Sequence, residues 1–119
     1  MCIFNPNTTD YFSYTGQHVH ELIGSTNFSS EYNDRHNHRF ATMSGDAIEA
    51  DGNHFHDICF RTDSYGAHYH EYHGPSTWAI PTGNGRHVHF ANGTVNSADG
   101  HTHEFRVASM INNPTEPVL

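Results

Sequence analysis

The sequence predicts an all-β domain, an antiparallel sandwich or barrel of about eight short strands. Three observations predict it. No stretch of the 119 residues sustains the apolar period of an amphipathic helix. Asp-Gly at 51–52 and 99–100 and Asn-Gly at 84–85 and 92–93, dipeptides favoured in tight hairpin turns, separate short runs rich in Val, Ile, Phe, Tyr and Thr. A three-residue element, His-x-His, recurs along the chain at intervals suited to short strands.

The elements follow in order. Residues 1–16 read as an N-terminal extension, with neither the basic start nor the apolar run of a secretory signal. Strands are expected at 17–24, 35–43, 46–50, 53–62, 67–73, 77–81, 86–91 and 101–111, giving a β domain over 17–112. Residues 113–119 read as an extended tail. No run approaches the ~18–20 apolar residues of a membrane-spanning helix.

The six His-x-His elements are His18/His20, His36/His38, His54/His56, His68/His70, His87/His89 and His101/His103. They use 12 of the 13 histidines and leave His73 over. Random placement would give about 1.4 such pairs, so composition does not explain them. The first histidines are spaced 18, 18, 14, 19 and 14 residues apart. The last four spacings alternate long and short, which implies a two-strand repeat of 32–33 residues. "HNHRFATMSGDAIEADGNHFHDI" aligns with "HYHEYHGPSTWAIPTGNGRHVHF", and "HTHEFRVASMI" begins a third, partial copy.

In a strand, residues i and i+2 point to one face. The residue that follows each pair on its own face is Leu22, Phe40, Ile58, Tyr72, Ala91 or Phe105. The histidines are therefore expected on the core-facing side. Glu21, Arg39, Asp57, Glu71 and Glu104 take the solvated side. Core-facing imidazoles need partners, because an unpaired buried polar group is costly. Hydrogen-bonded histidine ladders or a pH-responsive core would supply them. A metal common to all six pairs would do so too, since neutral imidazole is the usual ligand of Zn(II), Cu(II) and Ni(II). One pair plus one or two histidines from a neighbouring strand would make a three- or four-nitrogen site. Twelve ligands would then fill about three or four sites per chain. Affinity order favours copper where it is available. His73, outside the pattern, is a further candidate ligand.

The two cysteines, Cys2 and Cys59, form no metal-ribbon spacing. Cys2 is a candidate for an inter-subunit disulfide, and Cys59, in an apolar run, reads as a buried inert thiol. An internal disulfide is also open.

Together "HVHEL", "HNHRFATMSGDAI", "NHFHDICFRTD", "GNGRHVHF" and "DGHTHEFRVASMI" resemble the YmaF family of small multi-histidine bacterial proteins over residues 18–114. The resemblance implies a metal-rich bacterial β-protein and supplies no catalytic residues. "HVHEL" is also similar to the histidine strand of copper–zinc superoxide dismutases, and "HYHEYHG" to the His-x-His of cupins. Neither family accounts for six pairs.

A formal charge of −8, from 13 acids against 5 basic residues, argues against nucleic acid and against anionic membrane surfaces. Protonating every histidine would move that charge to +5, so histidine chemistry governs the electrostatics near neutrality. The reading favoured is a non-enzymatic, metal-binding structural protein. Its Asn-, Gly-, Ser-, Thr- and Tyr-rich composition suits self-assembly into an extracellular or spore-surface filament or layer, with residues 1–16 as an inter-subunit arm. The alternatives are a soluble metal buffer or carrier and a cupin- or dismutase-like metalloenzyme. An enzyme would need an open metal position and acid–base neighbours, and the chain has no lysine.

Overall fold

The computed structural model describes residues 18–29 and 34–116. Among them there is no helix, and nine short strands run antiparallel to their partners. These are β1 (Glu21–Ser25), β2 (Arg39–Met43), β3 (Ala47–Ala50), β4 (Asn53–Arg61), β5 (Glu71–Pro75), β6 (Ile80–Gly83), β7 (Arg86–Val88), β8 (Phe90–Thr94) and β9 (Glu104–Ala108).

Three two-stranded units carry the architecture: β1–β2, β4–β5 and β8–β9. Backbone hydrogen bonds at their ends join them in a ring. Gly45 donates to Asp57 and Asp63 to Arg39, which ties β2 to β4. Thr77 donates to Phe90 and Asn96 to Glu71, which ties β5 to β8. Met110 donates to Glu21 and Asn27 to Glu104, which ties β9 back to β1. The order β1-β2-β4-β5-β8-β9 thus closes on itself in a barrel-like ring of small separate sheets, joined by these end bonds and not by continuous ladders. β3 extends the start of β4, and β6–β7 forms a separate hairpin before β8.

The core lies inside this ring. Leu22, Phe40, Ile58, Phe60, Ala91, Val95, Phe105 and Val107 are buried together, with Tyr72 packed against them. All six residues expected to follow the histidines inward are in that set. Phe40 and Phe60 stack at 4.0 Å, and Phe105 meets both edge-on at 5.5 and 5.0 Å. Aromatic pairs of this kind add about 0.5–1.5 kcal/mol beyond the area they bury. The core is nevertheless small, as small domains' cores usually are, and such domains need a second source of stability.

The turn chemistry explains three connections. Asp51-Gly52, Asn84-Gly85 and Asp99-Gly100 all have positive φ at both positions, the backbone of a two-residue hairpin turn. The fourth expected turn, Asn92-Gly93, lies inside β8 instead. Gly93 serves there for close packing: a Cβ on it would sit 2.7 Å from Cε1 of Tyr72.

Three further expectations are corrected. The single strand expected at 86–91 is divided into β7 and β8. Most His-x-His pairs immediately precede a strand rather than lying inside one, because their backbone groups bond to hydroxyls as well as to the backbone of a neighbouring strand. Cys59 is not an inert thiol but is disulfide-bonded. Cys2 and the proposed arm at 1–16 lie outside the described residues.

A candidate metal centre at each end of the barrel

Each antiparallel unit reverses direction between its strands, so successive His-x-His pairs arrive at opposite ends of the barrel. His18, His20, His54, His56, His87 and His89 gather at one end, with one donor nitrogen from each within 4.8 Å of all the others. His36, His38, His68, His70, His101 and His103 gather at the other. Within that set His36, His38, His101 and His103 meet the same distance limit, as do His38, His68, His70 and His101. We call these the first and second groups. The apolar core separates them, because Leu22, Ile58 and Ala91 follow the first group along the strands and Phe40, Tyr72 and Phe105 follow the second. Ring closure brings three pairs together at each end, as a single group of six at one and as two overlapping groups of four at the other. His73 is in neither group; it is exposed on β5, opposite Cys59 in the strand register.

The second histidine of each pair is the deeper one. His38, His56 and His70 have no measurable exposure, and His20, His89 and His103 have at most 2%. A backbone carbonyl one strand away holds each of these rings through Nδ1. His20 donates to Met110 at 2.8 Å, His56 to Gly45 at 2.8 Å and His89 to Thr77 at 2.9 Å. In the second group His38 donates to Asp63 at 2.9 Å, His70 to Asn96 at 2.8 Å and His103 to Asn27 at 3.0 Å. A carbonyl can only accept, so Nδ1 carries the proton and the Nε2 lone pair faces the interior of the group. An outer carbonyl bond that fixes the tautomer and aims the other nitrogen is the usual support of a metal-ligating histidine.

The inward nitrogens are not satisfied by protein. Nε2 of His38, His56, His70, His89, His101 and His103 is buried with no hydrogen-bond partner. In the first group Nε2 of His18, His20 and His54 lies 2.9, 3.1 and 3.1 Å from Nε2 of His87. A single N–H on His87 could serve only one of those three. Each buried polar atom left unpaired costs about 1–3 kcal/mol, so a cation at the centre of each group would remove a large penalty.

The electrostatics agree. Burial, then repulsion from neighbouring imidazoles, lowers His56 and His87 to about 3 and His89 to about 4. His103 is lowered to about 4 in the same way. His20, His54, His68 and His70 are also lowered, burial again being the largest cause. These rings are neutral at pH 7, the state that ligates a metal.

A supporting set of hydroxyls was not foreseen. The sixth residue after the second histidine is Thr26, Ser44, Thr62, Ser76, Val95 or Ser109. Ser44, Thr26, Ser76, Thr62 and Ser109 accept, each at 3.0 Å, the backbone N–H of His20, His38, His56, His70 and His89. The residue after each of these six positions supplies the carbonyl that holds a ring of a neighbouring unit. The spacing was visible in the sequence as Ser or Thr six residues after the pair, in five of six cases.

Fold and site together define a small all-β barrel protein with a histidine group at each end that could hold metal ions. The chain belongs to the YmaF family, described as spore germination protein GerY/YamF, which it matches over residues 15–111. No curated protein and no solved structure matches it.

Proposed function

We propose that this is a non-enzymatic, transition-metal-binding structural protein whose twelve paired histidines are the ligands. The single observation that carries the reading is the aim of the rings: Nδ1 tied to carbonyls outside, Nε2 lone pairs converging inside. A non-catalytic role is supported by the uniformity of each group. The inward donors of both are imidazole nitrogens alone, Asp63 and Asp99 reaching only the outer Nδ1 of His38 and His68, whereas a catalytic metal keeps an open position. Two bound divalent ions would also bring the formal charge from −8 to −4. The metal would cross-link three strand pairs at each end of a small core and so contribute folding free energy directly.

Assembly on an extracellular or spore surface is the finer part of the proposal. The family's description as a spore germination protein supports the setting. Exposed Ile23, Met43, Phe28 and Trp78, at 67, 59, 52 and 44%, support contact with further copies.

Elemental analysis of protein isolated at neutral pH without chelator tests the metal reading. Two ions per chain are expected, and fewer than one would overturn it. Electron microscopy tests assembly: filaments or sheets are expected, and only monodisperse small particles, with and without metal, would refute that part. A soluble buffer or carrier, the second reading, would release its ions to chelator and keep its thermal stability.

A further inference from the structure

The arrangement of rings within each group determines more than the presence of a ligand set. Six rings make fifteen pairs. In the first group twelve of these have centroids 4.4–5.2 Å apart with interplanar angles of 66–88°. The three pairs outside that shell are His18–His89, His20–His54 and His56–His87, so every ring has four neighbours and one opposite. Those are the twelve edges and three diagonals of an octahedron. The second group repeats the pattern at 4.7–5.2 Å and 67–87°. Its opposite pairs are His36–His70, His38–His101 and His68–His103.

The nitrogen separations fit the same figure. An ion about 2.1 Å from every nitrogen needs adjacent donors about 3.0 Å apart in an octahedron, about 3.4 Å in a tetrahedron. Nε2 of His87 stands 2.9, 3.1 and 3.1 Å from those of His18, His20 and His54, all octahedral neighbours. His36 and His68, also neighbours, stand at 3.2 Å.

Resting on the metal-binding reading above, we infer that each group is a six-nitrogen octahedral cage for one ion, two ions per chain, selective for divalent metals with an electronic preference for octahedral nitrogen, namely Ni(II), Co(II) or Fe(II). Zn(II) has no such preference and is almost always four-coordinate in structural sites. Cu(II) prefers a tetragonal arrangement, which the deep rings, fixed by carbonyls, resist. The copper preference expected from affinity order alone is thereby reduced by geometry. Saturation of all six positions by protein leaves no place for a substrate or water on the ion.

The test loads the full chain with Co(II) and with Ni(II) and records stoichiometry, visible absorption and X-ray absorption. Expected are two ions per chain, the weak visible bands of six-coordinate Co(II), and a shell of six nitrogens at one distance. In competition at equal concentrations, Ni(II) should be retained over Zn(II) by about tenfold or more. Two ions bound with intense tetrahedral Co(II) bands, a four-nitrogen shell, or retention of Zn(II) over Ni(II) would overturn the octahedral inference and leave metal binding standing. Failure to take up Co(II), Ni(II) or Zn(II) at all would overturn the metal-binding reading, and this inference with it.

Discussion

The two ends of the barrel carry the same arrangement of six rings in different surroundings. In the first group the donors of all six lie within 4.8 Å of one another, whereas in the second only subsets of four do. Behind the deep histidines of the first group stand three serine hydroxyls, Ser44, Ser76 and Ser109. The corresponding positions at the other end are Thr26, Thr62 and Val95, so His103 lacks its hydroxyl. Carboxylates reach the second group: Asp63 lies 3.4 Å from Nδ1 of His38 and Asp99 lies 3.6 Å from Nδ1 of His68. Three rings of the first group are lowered to about 3 or 4, but only His103 in the second. One ring geometry is thus compatible with two tolerances of charge. The first end is a cage of neutral imidazoles, and the second has anions that can steady a proton or strengthen a ligand.

Metal removal should separate the ends most strongly. A site held at a thousand times its Kd adds about 4 kcal/mol to stability. Two such sites add about 8 kcal/mol, so stripping both ions should lower Tm by about 25 °C or more, on a scale of ~3–4 °C per kcal/mol for a domain between the 100- and 150-residue classes. Chelator titration followed by calorimetry should show two steps, the second group releasing first. A single step with both ions lost together would erase the distinction between the ends.

Acid should act next, and mainly through the first group. A histidine whose folded pKa lies below 6.5 takes up a proton in the unfolded chain before it does so in the folded one. Stability contributed by its neutral state is complete above about 6.5 and is lost progressively as pH falls toward the folded values of about 3 to 4. The metal-free protein should unfold on acidification within that window. Histidine proton resonances followed by NMR should show His56 and His87 still neutral at pH 5. Titration of either ring near 6.5 while the chain stays folded would contradict the burial argument.

The smallest effects sharpen the comparison at single hydroxyls. Ser109→Ala should cost about 1–2 kcal/mol, because it strands the buried N–H of His89. Val95→Thr should raise Tm by a few degrees by giving His103 the hydroxyl its counterparts have. Denaturant unfolding of the two variants reads both changes. A stabilised Ser109→Ala would show that the hydroxyls are dispensable.

Much of the fold was legible because its signals are local. The Asp-Gly and Asn-Gly turns at 51–52, 84–85 and 99–100 need only two residues' backbone preferences. The inward face needs only the two-residue strand period, which put His20 beside Leu22 and His103 beside Phe105. Asn92-Gly93 misled because its glycine answers to Tyr72, a residue about twenty positions away whose ring arrives only in the folded state. Sequence by itself therefore determined that the twelve imidazoles take the core-facing side and that the chain is built of short antiparallel strands. Tertiary structure alone decided which pairs meet. Direction alternates along an antiparallel chain, so odd pairs join odd and even join even. Closure of the ring, which depends on backbone bonds between distant strands such as Met110 to Glu21, then set the number of nitrogens at each end to six.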